Sequence, residues 1–335
     1  MKTLICLSIA VAAVATGNNS MAQGYKVQQT FHIASGGGWD YIAVSPVGDN
    51  VYVSHATQVN ILNKNTGDSV GVIPNTQGVH GIAFAPDFMK GFTSNGKMNT
   101  VTVFDINTNA VQAQISVGEN PDAIMYDPQS KKVYVCNGRS KDLAIIDAAN
   151  NTVVKTIPLG GKPETAVADD AGNIYINIED KNEIAVVNSK TYEITHHWPI
   201  GKGTSPSGLA IDVRKKRLFA GCDNKLLVVL DAENGKVVKE LPIGDGCDGV
   251  AFDPGNKTVF SSNGEGTLTV IKEKLGEGLS VIENVPTKKG ARTIAVDETT
   301  HKVYLPTAEF NASKEPGQKR PGTVPGTFQI LVVGK

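Results

Sequence analysis

A repeat of about 42 residues constrains the fold of this chain more than any other feature of its sequence. An apolar segment of the type GIAFAP occurs seven times, and the residues before successive copies are 40 to 44 positions apart. These preceding residues are Asp40, His80, Asp122, Glu164, Ser207, Asp248 and Arg292. A period of this length indicates a repeat architecture in which neighbouring units bury a shared core.

Each repeat has the pattern of four short strands. The second segment resembles VYVCN, the third resembles LAIID, and a weaker fourth resembles TVVKTIPLG, with turns such as NTGD and ENGK between them. Enrichment in Val, Ile and Tyr with Gly/Asn turns favours strands, and no segment keeps a helical period of 3.6 residues. The sequence therefore predicts an all-β fold, a seven-bladed β-propeller of four-stranded antiparallel blades.

The two ends of the repeat array predict how the ring closes. Residues 25–33 resemble a fourth strand but precede the first repeat, and the last repeat ends with its third strand, FQILVV. We expect the N-terminal strand to complete the last blade, since closure removes the exposed edges of an open array.

Residues 1–22 have the features of a cleaved signal peptide. Lys2 supplies a positive charge, residues 4–15 are apolar, and Ser20-Met21-Ala22 fits a cleavage site after Ala22. Twelve apolar residues are too few for a spanning helix, which needs about 20. We therefore expect a periplasmic or secreted protein without a membrane anchor, with residues 23–335 forming the propeller.

The remaining cysteines and the overall charge narrow the chemistry. Cys136, Cys222 and Cys247 follow the predicted cleavage site; Cys222 and Cys247 could form a disulfide or remain two buried thiols. The chain has 32 Lys+Arg against 33 Asp+Glu, a balance that argues against a nucleic-acid binder. The sequence lacks G-x-S-x-G, H-E-x-x-H, G-x-x-x-x-G-K-[ST] and C-x-x-C-H, which weighs against the corresponding hydrolase, protease, nucleotide and haem classes.

The repeat resembles that of the YVTN family of β-propellers, whose pattern is V-Y-V-T-N followed by V-x-V-I-D. VYVCN with LAIID (133–147) follows the pattern closely, whereas IYINI, LFAGC and VYLPT depart from it. The resemblance covers residues 25–335 and implies a secreted or periplasmic seven-bladed propeller. Its motifs are structural, so the resemblance leaves the chemistry open.

In this topology, the residues before the first strands and those after the second strands should share one end of the central channel. We predict that a small molecule or a protein partner binds at this mouth, since convergent polar groups in a concavity are typical of binding sites. The predicted site residues are Trp39, Asp40, His55, His80, Asp122, Asn137, Glu164, Glu179, Asp223, Asp248, Asn263, Arg292 and Glu309. Each could instead stabilise a turn, as Asp and Asn often do at strand ends.

The seventh repeat contains an insertion, residues 308–326, that should lie at the same end of the channel. Loops of this length are commonly functional or disordered. Lys314, Lys319 and Arg320 give it positive charge, and Phe310 is its expected anchor. Trp39 could stack on a ligand or close the top of the channel.

These observations support a leading hypothesis and two alternatives. The first is a monomeric, non-enzymatic binding or scaffolding protein. The second is a metal-assisted, lactonase-like hydrolase or isomerase, with a divalent cation such as Ca²⁺ at Asp122, Glu164 and Asp248, or with His80 as general base. The third is DNA binding through the basic loop. The sequence identifies no catalytic residues and no cofactor beyond that possible cation.

Overall fold

The computed structural model describes residues 24–274, 278–312 and 321–335. The predicted signal peptide and the basic side chains of Lys314, Lys319 and Arg320 lie outside these residues. In the described part, the chain forms seven four-stranded antiparallel sheets, which are the blades of a β-propeller. The innermost strands contact one another in sequence and the last contacts the first, so the blades form a closed ring. The predicted fold class is confirmed.

The strands follow one another along the chain with little other regular structure. The first fourteen are β1 (Lys26–His32), β2 (Trp39–Val44), β3 (Asn50–His55), β4 (Gln58–Asn63), β5 (Ser69–Ile73), β6 (Val79–Ala85), β7 (Lys90–Asn95), β8 (Thr100–Asp105), β9 (Val111–Ser116), β10 (Pro121–Asp127), β11 (Lys132–Asn137), β12 (Asp142–Asp147), β13 (Thr152–Pro158) and β14 (Pro163–Ala168). The others are β15 (Asn173–Ile178), β16 (Glu183–Asn188), β17 (Ile194–Pro199), β18 (Pro206–Asp212), β19 (Arg217–Cys222), β20 (Leu226–Asp231), β21 (Val237–Pro242), β22 (Cys247–Asp253), β23 (Thr258–Asn263), β24 (Thr267–Lys274), β25 (Gly278–Pro286), β26 (Ala295–Asp297), β27 (Lys302–Thr307) and β28 (Gln329–Gly334). Two single 3-10 turns cover Pro86–Phe88 and Glu179–Lys181.

Six blades consist of four consecutive strands, and the seventh joins the two ends of the chain. Blade 1 is β2 to β5, and blades 2 to 6 follow in the same way up to β25. Blade 7 has the order β26, β27, β28, β1, with β1 antiparallel to β28 from Lys26 opposite Gly334 to His32 opposite Gln329. The prediction that the N-terminal strand completes the last blade is confirmed.

The hydrophobic core is divided into seven clusters of buried residues, one between each pair of adjacent blades. The second strand of each blade contributes a fully buried aromatic ring to this core. These rings are Tyr52, Phe92, Tyr134, Tyr175, Phe219, Phe260 and Tyr304. Three of the tyrosine hydroxyls also bond to the next blade, for example Tyr52 to Asn109 at 2.7 Å. No helix among the described residues is long and apolar enough to span a membrane.

The outermost strands contain β-bulges that the repeat pattern did not predict. In blades 1, 3, 5 and 6 the extra residue of the bulge is Val70, Val154, Val238 or Ile282, and each is at least 39% exposed. A bulge twists an exposed edge and leaves it a poor template for further pairing. These exposed apolar side chains therefore lie on bulges that protect the outer edges of the blades.

Candidate functional site

The predicted ring of polar residues occupies equivalent positions around the channel. Six of its members are the second residue of an innermost strand: Asp40, His80, Asp122, Glu164, Ser207 and Asp248. Arg292 precedes β26 in the seventh blade. Because the innermost strands surround the channel, equivalent positions on seven blades come together at one end.

A cavity of about 400 Å³ opens at this end, and we call it the mouth cavity. Among the predicted site residues, those lining it are Asp40, Asp122, Glu164, Glu179, Asp223, Asp248 and Arg292. Tyr41, Lys162, Ser205, Ser207, Gly246 and Cys247 complete the lining. It therefore combines six carboxylates with two cationic side chains.

Hydrogen bonds link one half of the ring into a continuous chain. Ser207 donates to Asp248 at 2.6 Å, and Arg292 Nε donates to the other oxygen of Asp248 at 2.5 Å. Arg292 Nη2 lies 3.4 Å from Asp40, and His80 Nδ1 lies 2.6 Å from the second Asp40 oxygen. The positive charges of Arg292 and His80 are thus directed at carboxylates of the protein itself.

His80 is held as a cation by this arrangement. Burial alone would lower its pKa, but the hydrogen bond to Asp40 and the charges of Asp122 and Asp40 raise the pKa to about 9. The other ring nitrogen, Nε2, lies 2.7 Å from the position that a Cβ on Gly96 would take. A protonated imidazole cannot accept a proton, so this geometry does not favour His80 as a general base.

The other half of the ring is less well neutralised. Lys162 Nζ lies 2.6 Å from Glu164 and also contacts Glu179. Among the described residues, the cation within 4 Å of the Asp122 carboxylate is His80, at 3.7 Å, and the charge of Lys162 acts on it from farther away. Burial raises the pKa of Asp122 to about 7, and burial with the nearby charge of Asp122 raises the pKa of Glu164 to about 8. Both carboxylates would gain from a further positive charge.

Tyr41 is a mouth residue that the sequence analysis did not identify. It is on blade 1, yet its side chain packs against the cluster between blades 3 and 4, so it reaches across the channel. The equivalent residues of the other blades are all small: Gly81, Ala123, Thr165, Gly208, Gly249 and Thr293. That single large residue in a column of small ones is the signal that could have revealed it.

Six predicted site residues are not part of the cavity lining: His80, which is next to it through its hydrogen bond to Asp40, and five that lie away from it. Asn137 and Asn263 are fully buried at the ends of second strands, where they bond to the third strand: Asn137 to Asp142, and Asn263 to Thr267 and Thr269. Glu309 pairs with Lys288 on the surface. The prediction treated the ends of all second strands alike, but the last residue of the strand points into the blade. The residue directly after the second strand lines the mouth cavity in two blades, where it is Glu179 or Asp223.

Trp39 and His55 belong to an aromatic cluster at the junction of blades 7 and 1. His55 stacks on Phe328 with ring centroids 4.0 Å apart, and Trp39 lies 5.9 Å from Phe310. Both Trp39 and His55 are buried, and neither lines the mouth cavity. Phe310 forms a bridge with Thr323, so the described ends of the 308–326 segment pack on blade 1 through this cluster.

The predicted metal ligands Asp122, Glu164 and Asp248 do not come together. Among the described residues, the group whose ligand atoms lie within 4.8 Å of one another is Asp40, His80 and Asp122. Asp248 instead bonds Ser207 and Arg292, and Glu164 bonds Lys162. A metal at the alternative group would have to displace the proton that Asp40 holds on His80.

The three described cysteines are buried free thiols. For Cys222 and Cys247 this is the second of the two predicted states. Burial raises the pKa of each to about 12 and that of Cys136 well above its usual range. The neutral thiol is a poor nucleophile and metal ligand, so none of the three adds reactivity to the site.

A larger groove of about 530 Å³ lies between blades 4 and 5 and is lined mainly by apolar side chains such as Trp198 and Ile211. Its carboxylate Asp169 already accepts hydrogen bonds from Ala171 and Asn173. The mouth cavity is smaller, but its carboxylates are less completely satisfied. For this reason we consider the mouth cavity the better candidate.

The molecule is a seven-bladed β-propeller with a polar, mainly acidic cavity at one end of its channel. Its structure is similar to a chain of Kuenenia stuttgartiensis hydrazine synthase, with a TM-score of 0.71 and 17% identity over 80% of this chain and 92% of that one. It is also similar to the WD40 repeats of RRP9, with a TM-score of 0.77 and 9% identity over 92% and 97% of the two chains.

At such identities the similarity shows the fold alone. No family model matches the sequence, and no curated protein matches it either.

Proposed function

We propose that this chain is an exported, monomeric binding protein that takes a small positively charged ligand in the mouth cavity. The observation that carries the proposal is the imbalance of charge: six carboxyl groups, two of them with raised pKa values, against Lys162, Arg292 and the neighbouring imidazolium of His80. The two cations and His80 are already engaged by carboxylates of the ring, whereas the carboxylate of Asp122 accepts no hydrogen bond from any described residue and has His80 Nδ1 at 3.7 Å. Export and membership of the YVTN family are part of this proposal and rest on the sequence patterns given above.

The test is a calorimetric titration of the mature chain with calcium chloride, butylammonium chloride, sodium acetate and sodium phosphate at low and high salt. We expect cations to bind and anions not to bind, with affinity falling as salt rises because charge dominates the cavity. Asp122→Asn should weaken binding about tenfold, since it removes a partly desolvated charge. Asp245→Asn, an exposed carboxylate outside the cavity lining, is the control. Absence of cation binding in the wild type would refute the proposal.

A second candidate is the metal-assisted, lactonase-like reaction, and the Asp40, His80 and Asp122 group favours it. A divalent ion there could polarise a lactone carbonyl. Because His80 must lose its proton to bind the ion, metal affinity should rise about tenfold per pH unit between pH 7 and 9, and more steeply below pH 7, where Asp122 must also lose a proton. Titrations with Zn²⁺ and Mn²⁺ between pH 6 and 9 measure this dependence, and an affinity independent of pH would exclude His80 as a ligand.

A further inference from the structure

Tyr41 is the feature of the mouth cavity that the charge argument leaves unexplained. We propose that the mouth cavity binds the ammonium head of a primary alkylamine, and that Tyr41 determines its preference for an organic cation over an inorganic one. This inference rests on the proposed function and names its ligand class. It follows from three observations on Tyr41 and its surroundings.

The first observation is the position of the ring. Tyr41 lines the cavity and packs against the cluster between blades 3 and 4, so its side chain reaches across the channel. The six equivalent residues have at most the size of threonine. A ligand in the cavity therefore meets one aromatic surface, which a carbon-bound ammonium group can use for both apolar and cation–π contact.

The second observation is the charge around this ring. Tyr41 lines the same cavity as the carboxyl groups of Asp122, Glu164, Asp40 and Asp248. These carboxyl groups come from four different blades. A cation placed at the ring is attracted by several charges at once, as in recognition sites that combine aromatic and acidic groups.

The third observation concerns unused hydrogen-bonding capacity. The Tyr41 hydroxyl makes no hydrogen bond to another described residue, and the carboxylate of Asp122 receives none. A primary ammonium has three N–H donors, which can fill such acceptors. Its alkyl chain supplies the apolar surface that a metal ion lacks. The combination fits R–NH₃⁺ better than it fits a hydrated metal ion or a quaternary ammonium, which has no N–H.

The experiment compares butylammonium, tetramethylammonium, potassium and calcium as chlorides, by calorimetric titration of wild type, Tyr41→Thr and Tyr41→Phe. Threonine is the native residue at two equivalent positions, Thr165 and Thr293, so the channel should accept it. We expect Tyr41→Thr to weaken butylammonium binding about tenfold and to leave calcium and potassium within about twofold, because only the ring contact is lost. Tyr41→Phe retains the ring and should stay within about threefold of wild type.

The outcomes separate this inference from the proposal on which it rests. If calcium or potassium binds in the mouth cavity and butylammonium does not, the inference is overturned and the proposed function stands. Equal loss of all four cations in Tyr41→Thr, with unchanged thermal unfolding, also overturns it, because the ring would then not discriminate between them. If no cation binds to the wild type, both fail. Tighter binding of tetramethylammonium than of butylammonium would contradict the assignment of a primary amine.

Discussion

Glu164 shows how a single residue of the mouth couples binding to stability. It is only 7% exposed, and burial together with the charge of Asp122 raises its pKa from 4.5 to about 8. The folded chain therefore holds this proton over a pH range in which the unfolded chain has released it. The contribution of Glu164 to the free energy of unfolding must fall as pH rises from about 4.5 to about 8.

Glu164→Gln should consequently stabilise the protein increasingly as pH rises. At pH 5 the variant and the wild type should unfold at similar temperatures, and by pH 9 the variant should unfold at the higher one, because it has no charge to bury. Thermal unfolding followed by circular dichroism from pH 5 to 9 measures the difference.

The control for this prediction is Glu309→Gln. A hydrogen bond with Lys288 lowers the pKa of Glu309, so its small stabilising effect is present above its unfolded pKa and lost in acid. Removing it should slightly destabilise the protein at neutral pH, the opposite sign. A constant difference between Glu164→Gln and wild type across the range would contradict the role given to Glu164.

At the scale of elements, four of the blade junctions show a size match between a residue of an outer strand and a residue in a turn of the next blade. A Cβ on Gly67 would lie 2.3 Å from Phe31 of blade 7, and one on Gly235 would lie 2.2 Å from Trp198 of blade 4. The outer strand of blade 1 carries Ile73, and the corresponding turn of blade 2 carries Asn109. The outer strand of blade 2 carries Ile115, and the corresponding turn of blade 3 carries Asn151. All four turn residues have φ between 58° and 79°, so the backbone is the same and the side chain alone differs.

This match predicts a strong coupling between Trp198 and Gly235. Gly235→Asn keeps a residue that tolerates positive φ, but it should cost about 3 kcal/mol through overlap with the indole. Trp198→Ile should cost about 3 kcal/mol through the cavity that it leaves. The double variant has the pairing of Ile with Asn that occurs between blades 1 and 2 and between blades 2 and 3. Its loss of unfolding free energy should be smaller than the sum of the two single losses by at least about 1 kcal/mol. Urea unfolding of the four proteins measures the cycle.

Gly160→Asn is the matched control for the substitution. Gly160 also has positive φ, at 74°, but no atom lies within 4 Å of its Cβ position. It should therefore unfold nearly like the wild type. If the effects of Trp198→Ile and Gly235→Asn simply add, the size match does not stabilise the blade interface.

The elements also show what the sequence could predict and where prediction stopped. The blades and the ring were predictable because equivalent residues of a closed repeat must share a radius and a height, which places Asp40 beside His80 without any structure. Whether the last residue of a second strand points into the blade or toward the channel depends on one residue of register, so Asn137 and Asn263 were misplaced. Which charged residues pair with each other depends on how far each side chain extends toward a neighbouring blade. The spacing of the repeats in the sequence does not contain this information.

At the scale of the whole molecule, stability depends on closing the ring with β1. All six residues of β28 are buried, and β1 covers the edge that they would otherwise expose. Phe31 and Ile33 join the cluster between blades 7 and 1, and Arg292 links Asp248 of blade 6 to Asp40 of blade 1. The N-terminal segment therefore connects the last blade to the first both through the sheet and through the core.

Removal of residues 1–32 should leave a chain with an exposed strand edge, a lowered unfolding temperature and a tendency to aggregate. A synthetic peptide of residues 24–32 should restore the unfolding temperature in trans. The recovery should grow with peptide concentration, because a ligand that binds only the folded state stabilises it by mass action. The same peptide carrying Phe31→Ala should bind more weakly by about 3 kcal/mol, since it no longer fills the space over Gly67. Differential scanning fluorimetry across a peptide series measures both effects. If the shortened chain unfolds at the wild-type temperature and ignores the peptide, the blades hold together without closure, and the ring is stabilised by its seven interfaces alone.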